Sequence, residues 1–445
     1  MAISIQQYPT SPNIANNNLV YAISSSEVNR PQFQYVCDVR DANDTLIQRV
    51  KQQPNPSSYG VFDLGQICTF NLGPTDNIWT VSGFAPNTSS AADFKILFGE
   101  EYSYSVSSSA SLYNGVTSTP NLPPAVKSTD YLFNLYGVLD PNDKVNWNWN
   151  SGSKYENELI NDNTFTRQYG LTDFPATQSV RTGDYHTISF LNGTLYGNTP
   201  ANANNAQDIY SAYITQYNSA DSQLTQSIIY NLNPRTSSGQ IWSDVYLSQS
   251  AATRLVHLGT GPENIDLTSS VSYYTIDVYE QATDGSVNEN GKYGSYKFNI
   301  VDENCDYPGV RFAWRNKYGV WDYYNFTLAE STTSQIDRST YEQIFVPFST
   351  TTATAPYNKS RRGRTNFLNK ISRARTAESD WVNQTYADLL IEMFYSADVY
   401  IQSGTVFLPI TITNTSVVEK TNPRTQKLYK LTAEYRYAND TQHRL

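Results

Sequence analysis

The chain has 445 residues, more than one ordinary core accommodates, so two to four domains are expected. Its formal charge is −10, which disfavours nucleic acid as the main partner, because phosphate binding requires a basic surface. Charged residues are 16% of the chain while tyrosines number 35, a balance that suits strands and protein-facing surfaces and sets it apart from disordered sequences.

The chain opens with "MAISIQQYPTSPNIANNN", which lacks a basic start and an apolar core, so no export signal is expected. No apolar run reaches the roughly 18 residues of a membrane helix. The segments "LVYAISS" (19–25), "QFQYVCDVR" (32–40) and "TLIQRVKQ" (45–52) alternate as strands, with "DAND" (41–44) as a turn. Cys37 falls in step with Phe33, Tyr35 and Val39, the position of a buried free thiol. The odd cysteine count (Cys37, Cys68, Cys305) fits neither a disulfide framework nor a zinc pattern and points to synthesis in a reducing cytoplasm. A Pro-rich connection, "PNPSSYGVFDLGQI", leads to a long strand pattern in "DFKILFGEEYSYSVSSS" (93–109). Its neighbours Glu100 and Glu101 should face opposite ways, wrong for a catalytic pair.

From about 107 to 254 the pattern loosens, with clear strands at "YLFNLYGVL" (131–139) and "YHTISFLNG" (185–193). Trp147 and Trp149 in "VNWNWN" would share a strand face among asparagines, a candidate for stacking on sugar rings or for anchoring a sheet. Strand patterns return at "SVSYYTIDVYE" (270–280) and "SYKFNIVD" (295–302). Then comes "VRFAWRNKYGVWDYYNFT" (310–327), which holds seven aromatics and one carboxylate, Asp322, and reads as a hairpin turning at Asn316–Gly319.

A basic run follows in "NKSRRGRTNFLNKISRART" (358–376), with no acidic residue between Gln343 and Ala377. It is expected to be an arm that docks on an acidic surface of a neighbouring subunit, Arg361, Arg362 and Arg364 being its foremost contacts; a solvated loop is the plainer reading, and contact with packaged DNA is disfavoured by the acidity of the rest of the chain. One helix is expected in "TAESDWVNQTYADLLIEMFYS", with Val382, Tyr386, Leu389, Leu390 and Met393 on one face, Thr376 or Ser379 as cap, and Glu378 and Asp380 at the positive end of its dipole. "TVFLPITITN" places Val406, Leu408, Ile410 and Ile412 on one face; since Pro409 lacks an amide donor, an edge strand or the outward-facing side of a strand is expected. "KLYKLTAEYRYA" places Tyr429, Leu431, Ala433, Tyr435 and Tyr437 on a face that should be covered.

The expected fold is therefore mainly β: antiparallel β-sandwiches with one C-terminal helix. The expected segments are an N-terminal β-domain at 1–106, a middle β-rich region at 107–254, a β-meander at 255–345, and a basic arm, helix and hairpin at 346–445. Catalytic equipment is sparse. His186 and His257 lie in or beside apolar strands and His443 in the tail, and no paired-histidine, Gly-x-Ser-x-Gly or phosphate-loop pattern occurs. No catalytic, metal or cofactor residue is assigned.

The order of "FQYVCDV", "YGVFDLGQI", "YHTISFLNG", "FNIVDENCDYPGVRFAWRNKYGVWDYYNFT" and a late helix with "SADVYI" resembles a loosely defined group of tailed-bacteriophage structural proteins. The resemblance covers most of the chain and implies a non-enzymatic virion component of the tail, neck or fibre apparatus, made in the host cytoplasm. Implied partners are further copies of the chain and other virion proteins, with no membrane. Trp314, Trp321, Tyr429, Tyr435, Tyr437 and the three arginines are the subunit-contact candidates. A host-surface carbohydrate-binding adhesin, using Trp147 and Trp149, is the alternative.

Overall fold

The computed structural model describes residues 3–9, 13–41, 43–73, 78–87, 89–103, 111–113, 126–127, 132–139, 170–191, 209–231, 255–281, 287–301, 309–342, 351, 363–417, 428–439 and 442–444. The described residues are mainly strands, in five sheets. They form two compact units: Met1–Asp302 with Arg315–Tyr323, and Glu303–Trp314 with Tyr324–Leu445.

The first unit contains two sandwiches. In the first, a three-stranded sheet (Ile3–Gln7, Val20–Ser25, Tyr59–Asp63) lies over a larger one built on Gln34–Asp41 and Ala91–Tyr102. Period-two alternation sends Phe33, Tyr35, Cys37 and Val39 inward against Tyr21, Ile23, Phe62 and Phe98. Burial pushes the Cys37 thiol well above its ordinary range, so it behaves as a small apolar side chain. On the opposite face Asp38 is also buried, held by Arg49 through Nε (2.6 Å) and a second nitrogen (2.9 Å). The "FDLGQI" segment supplies a short helix, Gly65–Phe70, where an apolar connection is expected from the sequence.

The second sandwich faces a five-stranded sheet (Thr177–Val180, Val287–Ile300, Tyr273–Gln281, Ile209–Tyr217, Gln223–Tyr230) against a three-stranded one (Thr187–Leu191, Leu255–Gly259, Phe84–Pro86). Its core joins Ile188, Phe190, Val256 and Leu258 to Ile214, Tyr274, Ile276, Tyr296 and Phe298. Strand pairing here ignores the boundaries drawn along the sequence. Phe84 pairs with Leu258, and Thr177–Val180 runs parallel to Lys297–Ile300. The lines at 106/107 and 254/255 therefore run through one sheet system.

The fifth sheet has eight strands, ordered Trp321–Phe326, Val310–Arg315, Val399–Ser403, Val406–Ile412, Thr432–Tyr437, Arg364–Glu378, Glu330–Glu342, with Gln442–Arg444 also on the Arg364–Glu378 strand. The helix is Gln384–Tyr395 and buries Ala387, Leu390, Ile391 and Met393. Its cap is Asn383, whose side chain accepts from the Tyr386 amide at 3.0 Å; neither Thr376 nor Ser379 serves. Thr376 lies within a strand, and Ser379 exchanges backbone and side-chain hydrogen bonds with Leu431 at 2.9 Å, which keeps the chain on the sheet until residue 379. Glu378 and Asp380 consequently precede the first helical turn, which holds no acidic residue.

Val406–Ile412 is an internal strand and not an edge. Pro409 is tolerated because the ladder to Thr432–Tyr437 ends there: its carbonyl accepts from Ala438 (3.1 Å) and nothing is required of its nitrogen. Phe407 and Ile410 are the buried side chains, three apart, while Val406 is 54% exposed, so the strand does not keep one apolar face.

Candidate functional site

Ser189, His186, His257 and Asp322 lie in the first unit, and the fold buries them. Ser189 and His257 stand directly opposite each other across an antiparallel pair, with the hydroxyl 2.7 Å from Nδ1. A hydroxyl against an imidazole is the start of a hydrolytic relay. Here Ser189 is 2% and His257 0% exposed, which keeps substrate away. Burial, with Arg315 adding to it, holds the imidazole down at about 3, so it stays neutral. The pair is a cross-strand tie.

His186 is similar. Its Nδ1 lies 2.6 Å from the Thr260 hydroxyl, and its ring meets Phe298 and Tyr323 at 5.1 and 4.9 Å. Asn264 ties this corner together: Oδ1 accepts from the amides of His186 (2.9 Å) and Gly261 (3.2 Å), and Nδ2 donates to the carbonyls of Trp79 (2.6 Å) and Val81 (2.9 Å). The "HLGTGPENI" glycines are structural. A Cβ at Gly261 would sit 2.4 Å from the His186 nitrogen.

Asp322, the one carboxylate of the aromatic hairpin, has partners far away in the chain. Its oxygens accept from the Thr172 hydroxyl (2.6 Å) and the Asn316 amide (3.0 Å), and Asn316 also donates to the Leu171 carbonyl (2.8 Å). Burial pushes the carboxyl up to about 7, against the opposing pull of these two hydrogen bonds and of Lys317. Nearby, Arg315 places its guanidinium 4.9 Å from both the Tyr136 and Trp321 rings, and Trp79 packs on Trp321 at 5.2 Å. The turn between them requires glycine: Gly319 has φ +81°, and a Cβ there would overlap the Tyr136 carbonyl.

Among the carboxylates of the first sheet, Glu100 is buried and accepts from the Ser25 hydroxyl at 2.5 Å, while Glu101 pairs with Lys51 on the other face. Among the described residues no three His, Cys, Asp or Glu side chains are grouped as metal ligands, and no helix is long and apolar enough to cross a membrane.

The proposed contact residues separate into two kinds. Trp314, Trp321, Tyr429 and Tyr435 are buried within the chain itself, at 0, 3, 5 and 0% exposure, so they are core side chains and not free surface. The Tyr435 ring packs on Phe312 (5.6 Å) and its hydroxyl donates to Glu330 (2.9 Å). Tyr437 is half-buried beneath the Arg375 guanidinium at 4.2 Å. Arg364 is exposed. Arg361, Arg362, Trp147 and Trp149 lie outside the described residues.

The basic run is corrected most. From Arg364 to Glu378 it is a strand and not a loop or loose arm. It pairs along its length with Glu330–Glu342, forming a two-stranded ribbon about 40 Å long at 3.4 Å per residue. Among the described residues, Thr432–Tyr435 flanks it at residues 375–378 and Gln442–Arg444 at 369–371. At its far end Ser339–Glu342 pairs with Arg364–Leu368. All thirteen residues of Glu330–Glu342 are exposed. Three apolar side chains stand in water there: Ile336 (42%), Tyr341 (42%) and Phe367 (51%), the last two with rings 6.1 Å apart. Sequence reasoning missed these three. The available signal was the unbroken β-forming run "STTSQIDRSTYE" without an apolar face.

Comparison with known proteins adds no relative: no protein-family model matches the chain, and no curated protein does.

Proposed function

We propose that the chain is a non-enzymatic structural component of a bacteriophage particle, in the tail, neck or fibre apparatus, that assembles through its sheets. The observation that carries the reading is the edge strand Glu330–Glu342, exposed at all thirteen residues and paired with Arg364–Glu378. A long exposed edge strand invites another chain to pair with it. A protein that holds such a ribbon out gains most when a neighbouring subunit covers it. The burial of Asp322, His186 and His257, each tied to a neighbouring hydroxyl, fits a scaffold role. The likeness of the sequence to tailed-phage structural proteins supplies the particle.

The test is to label the chain with an antibody and image particles released from the culture that makes it. Labelling at one fixed place on each particle is expected. A chain abundant in cells but missing from washed particles overturns the reading.

A second reading, host-glycan binding, is favoured by one surface of the five-stranded sheet. Tyr217 and Tyr273 stack there at 4.8 Å, with Lys297 3.8 Å from the Tyr273 ring, and Tyr213 meets Tyr279 at 4.9 Å. Half-buried rings among Lys292, Asp277 and Ser295 offer both stacking and hydrogen bonds.

A further inference from the structure

The strand Glu330–Glu342 is the last of the eight-stranded sheet. On one side it pairs with Arg364–Glu378; its other edge runs along thirteen exposed residues. Edge strands are ordinarily guarded by proline, lysine or shortness. This one holds neither residue, and Thr332, Thr333 and Ile336 are β-branched strand formers. Its ladder is regular from Glu330 to Ser339 and is interrupted by a bulge between Ser339 and Thr340, where a strand bends and a straight edge ends.

We infer that this edge pairs with itself: Glu330–Arg338 of two copies run antiparallel about a two-fold axis at Ser334, joining the two sheets into one. This rests on the assembly reading above and adds the partner and the register. The axis between such strands stands perpendicular to the sheet and keeps every side chain on its own face. Residues opposite each other must therefore be an even number apart in sequence. With the axis at Ser334, Glu330 of each copy faces Arg338 of the other, so an ion pair closes both ends of the overlap. All of it lies within the straight stretch. Ile336, 42% exposed, faces Thr332.

The neighbouring registers are poorer. An axis at Gln335 sets Arg338 against Thr332 and loses both ion pairs. An axis at Ile336 sets Glu330 against Glu342 at both ends and carries the pairing through the bulge, and like charges directly opposed destabilise a sheet. The two charged groups are ready for the contact. Glu330 accepts the Tyr435 hydroxyl on Oε1 (2.9 Å), which orients the carboxylate and leaves Oε2 to accept from a guanidinium. Arg338 is exposed and has no ion pair among the described residues. The opposite end of the same sheet is closed to such pairing, since five of the six residues of Trp321–Phe326 are buried.

The experiment uses the full chain, sedimented over a range of concentrations at low and high salt. Wild type should dimerise, and more weakly at high salt as the ion pairs are screened. R338E turns both attractive pairs into repulsive ones and should raise the dimer dissociation constant about tenfold, roughly 1.4 kcal/mol. E330R should do the same. An equal mixture of the two variants restores opposite charges at both ends, so it should dimerise as wild type does.

Cross-linking reads the register without relying on those charges. Opposite Cβ atoms stand about 4.5–5.5 Å apart, within a small shift of disulfide geometry. Mild oxidation should therefore link S334C to its own copy, beyond any background in wild type. I336C alone should stay unlinked, and a mixture of I336C with T332C should link. Three results overturn the inference: wild type that stays monomeric at every concentration, a folded R338E that dimerises as wild type does, or an S334C dimer that does not cross-link. A monomer here leaves the particle reading to its own labelling test.

Discussion

Two neighbouring stretches of this chain form paired strands and meet opposite fates. In the hairpin of Val310–Arg315 and Trp321–Phe326, all six residues of the first strand are buried, Arg311 and Arg315 among them. In the ribbon, all thirteen residues of Glu330–Glu342 are exposed. Local β preference is satisfied in both. The difference lies in apolar area: the hairpin carries aromatic rings on both faces, and burying each contributes about 1.5–3 kcal/mol. The ribbon is mostly Ser, Thr and charge, so the chain has little to gain by covering it alone. Strand formation and strand burial are separate decisions, and the sequence encodes them separately.

The largest effect should come from reversing burial on the hairpin's side of the sheet. Tyr435→Asp would place a carboxylate at a fully buried position beside Phe312 and next to Glu330, whose hydrogen bond it removes. An uncompensated buried charge costs at least about 4 kcal/mol, enough to unfold a marginal unit. Denaturant unfolding or poor recovery of folded protein reads this directly. Wild-type stability would mean that the register of Thr432–Tyr437 is wrong.

An intermediate effect is expected at Asp322, where the comparison acquires a pH dependence. Its carboxyl titrates near 3.8 in the unfolded chain and is pushed up to about 7 by burial, so the folded state holds the proton longer. Stability from this group is therefore greatest below about pH 4 and is lost as pH rises through 7. Asp322→Asn imitates the protonated form: its nitrogen can donate to Thr172 while its oxygen accepts from Asn316. The variant should be about 1–3 kcal/mol more stable than wild type at pH 8 and nearly equal at pH 4.5, as read by urea titration. Equal pH slopes in the two proteins would show that Asp322 is ionised in the folded state.

The legible parts of this fold were those with a repeating apolar signal. The strands at Gln34–Asp41, Thr187–Leu191, Tyr273–Gln281 and Val310–Arg315 follow from alternation, as do the inward placing of Cys37 and the helix face at Leu390 and Met393. The polar ribbon was not legible as strand, because Arg364–Glu378 owes its shape to pairing with Glu330–Glu342 and has no apolar face of its own. The partners of Asp322 were hidden for a different reason. Thr172 lies 150 residues away, and nothing local in "LTDF" marks it. The helix cap was misplaced because Ser379 and Thr376 are good capping residues in isolation, while the sheet claims both first.

The smallest effect on stability, and the sharpest on the comparison, belongs to Phe367→Ser. Phe367 is 51% exposed and meets Tyr341 at 6.1 Å, so its removal exchanges one partly wet ring contact for water. An exposed position of this kind should change unfolding stability by no more than about 0.5 kcal/mol. If a second copy covers the ring, the same substitution should weaken assembly by about 1–3 kcal/mol, roughly 5- to 150-fold in concentration, because an aromatic anchor counts for most when it is fully desolvated. The substitution leaves the charge unchanged, so the salt dependence of assembly should remain that of wild type. Measured together, the thermal midpoint and the assembly concentration separate the two roles of a strand. A loss of stability equal to that at a buried ring would place Phe367 in the chain's own core. Unchanged stability with unchanged assembly would leave the aromatic end of the ribbon without a partner.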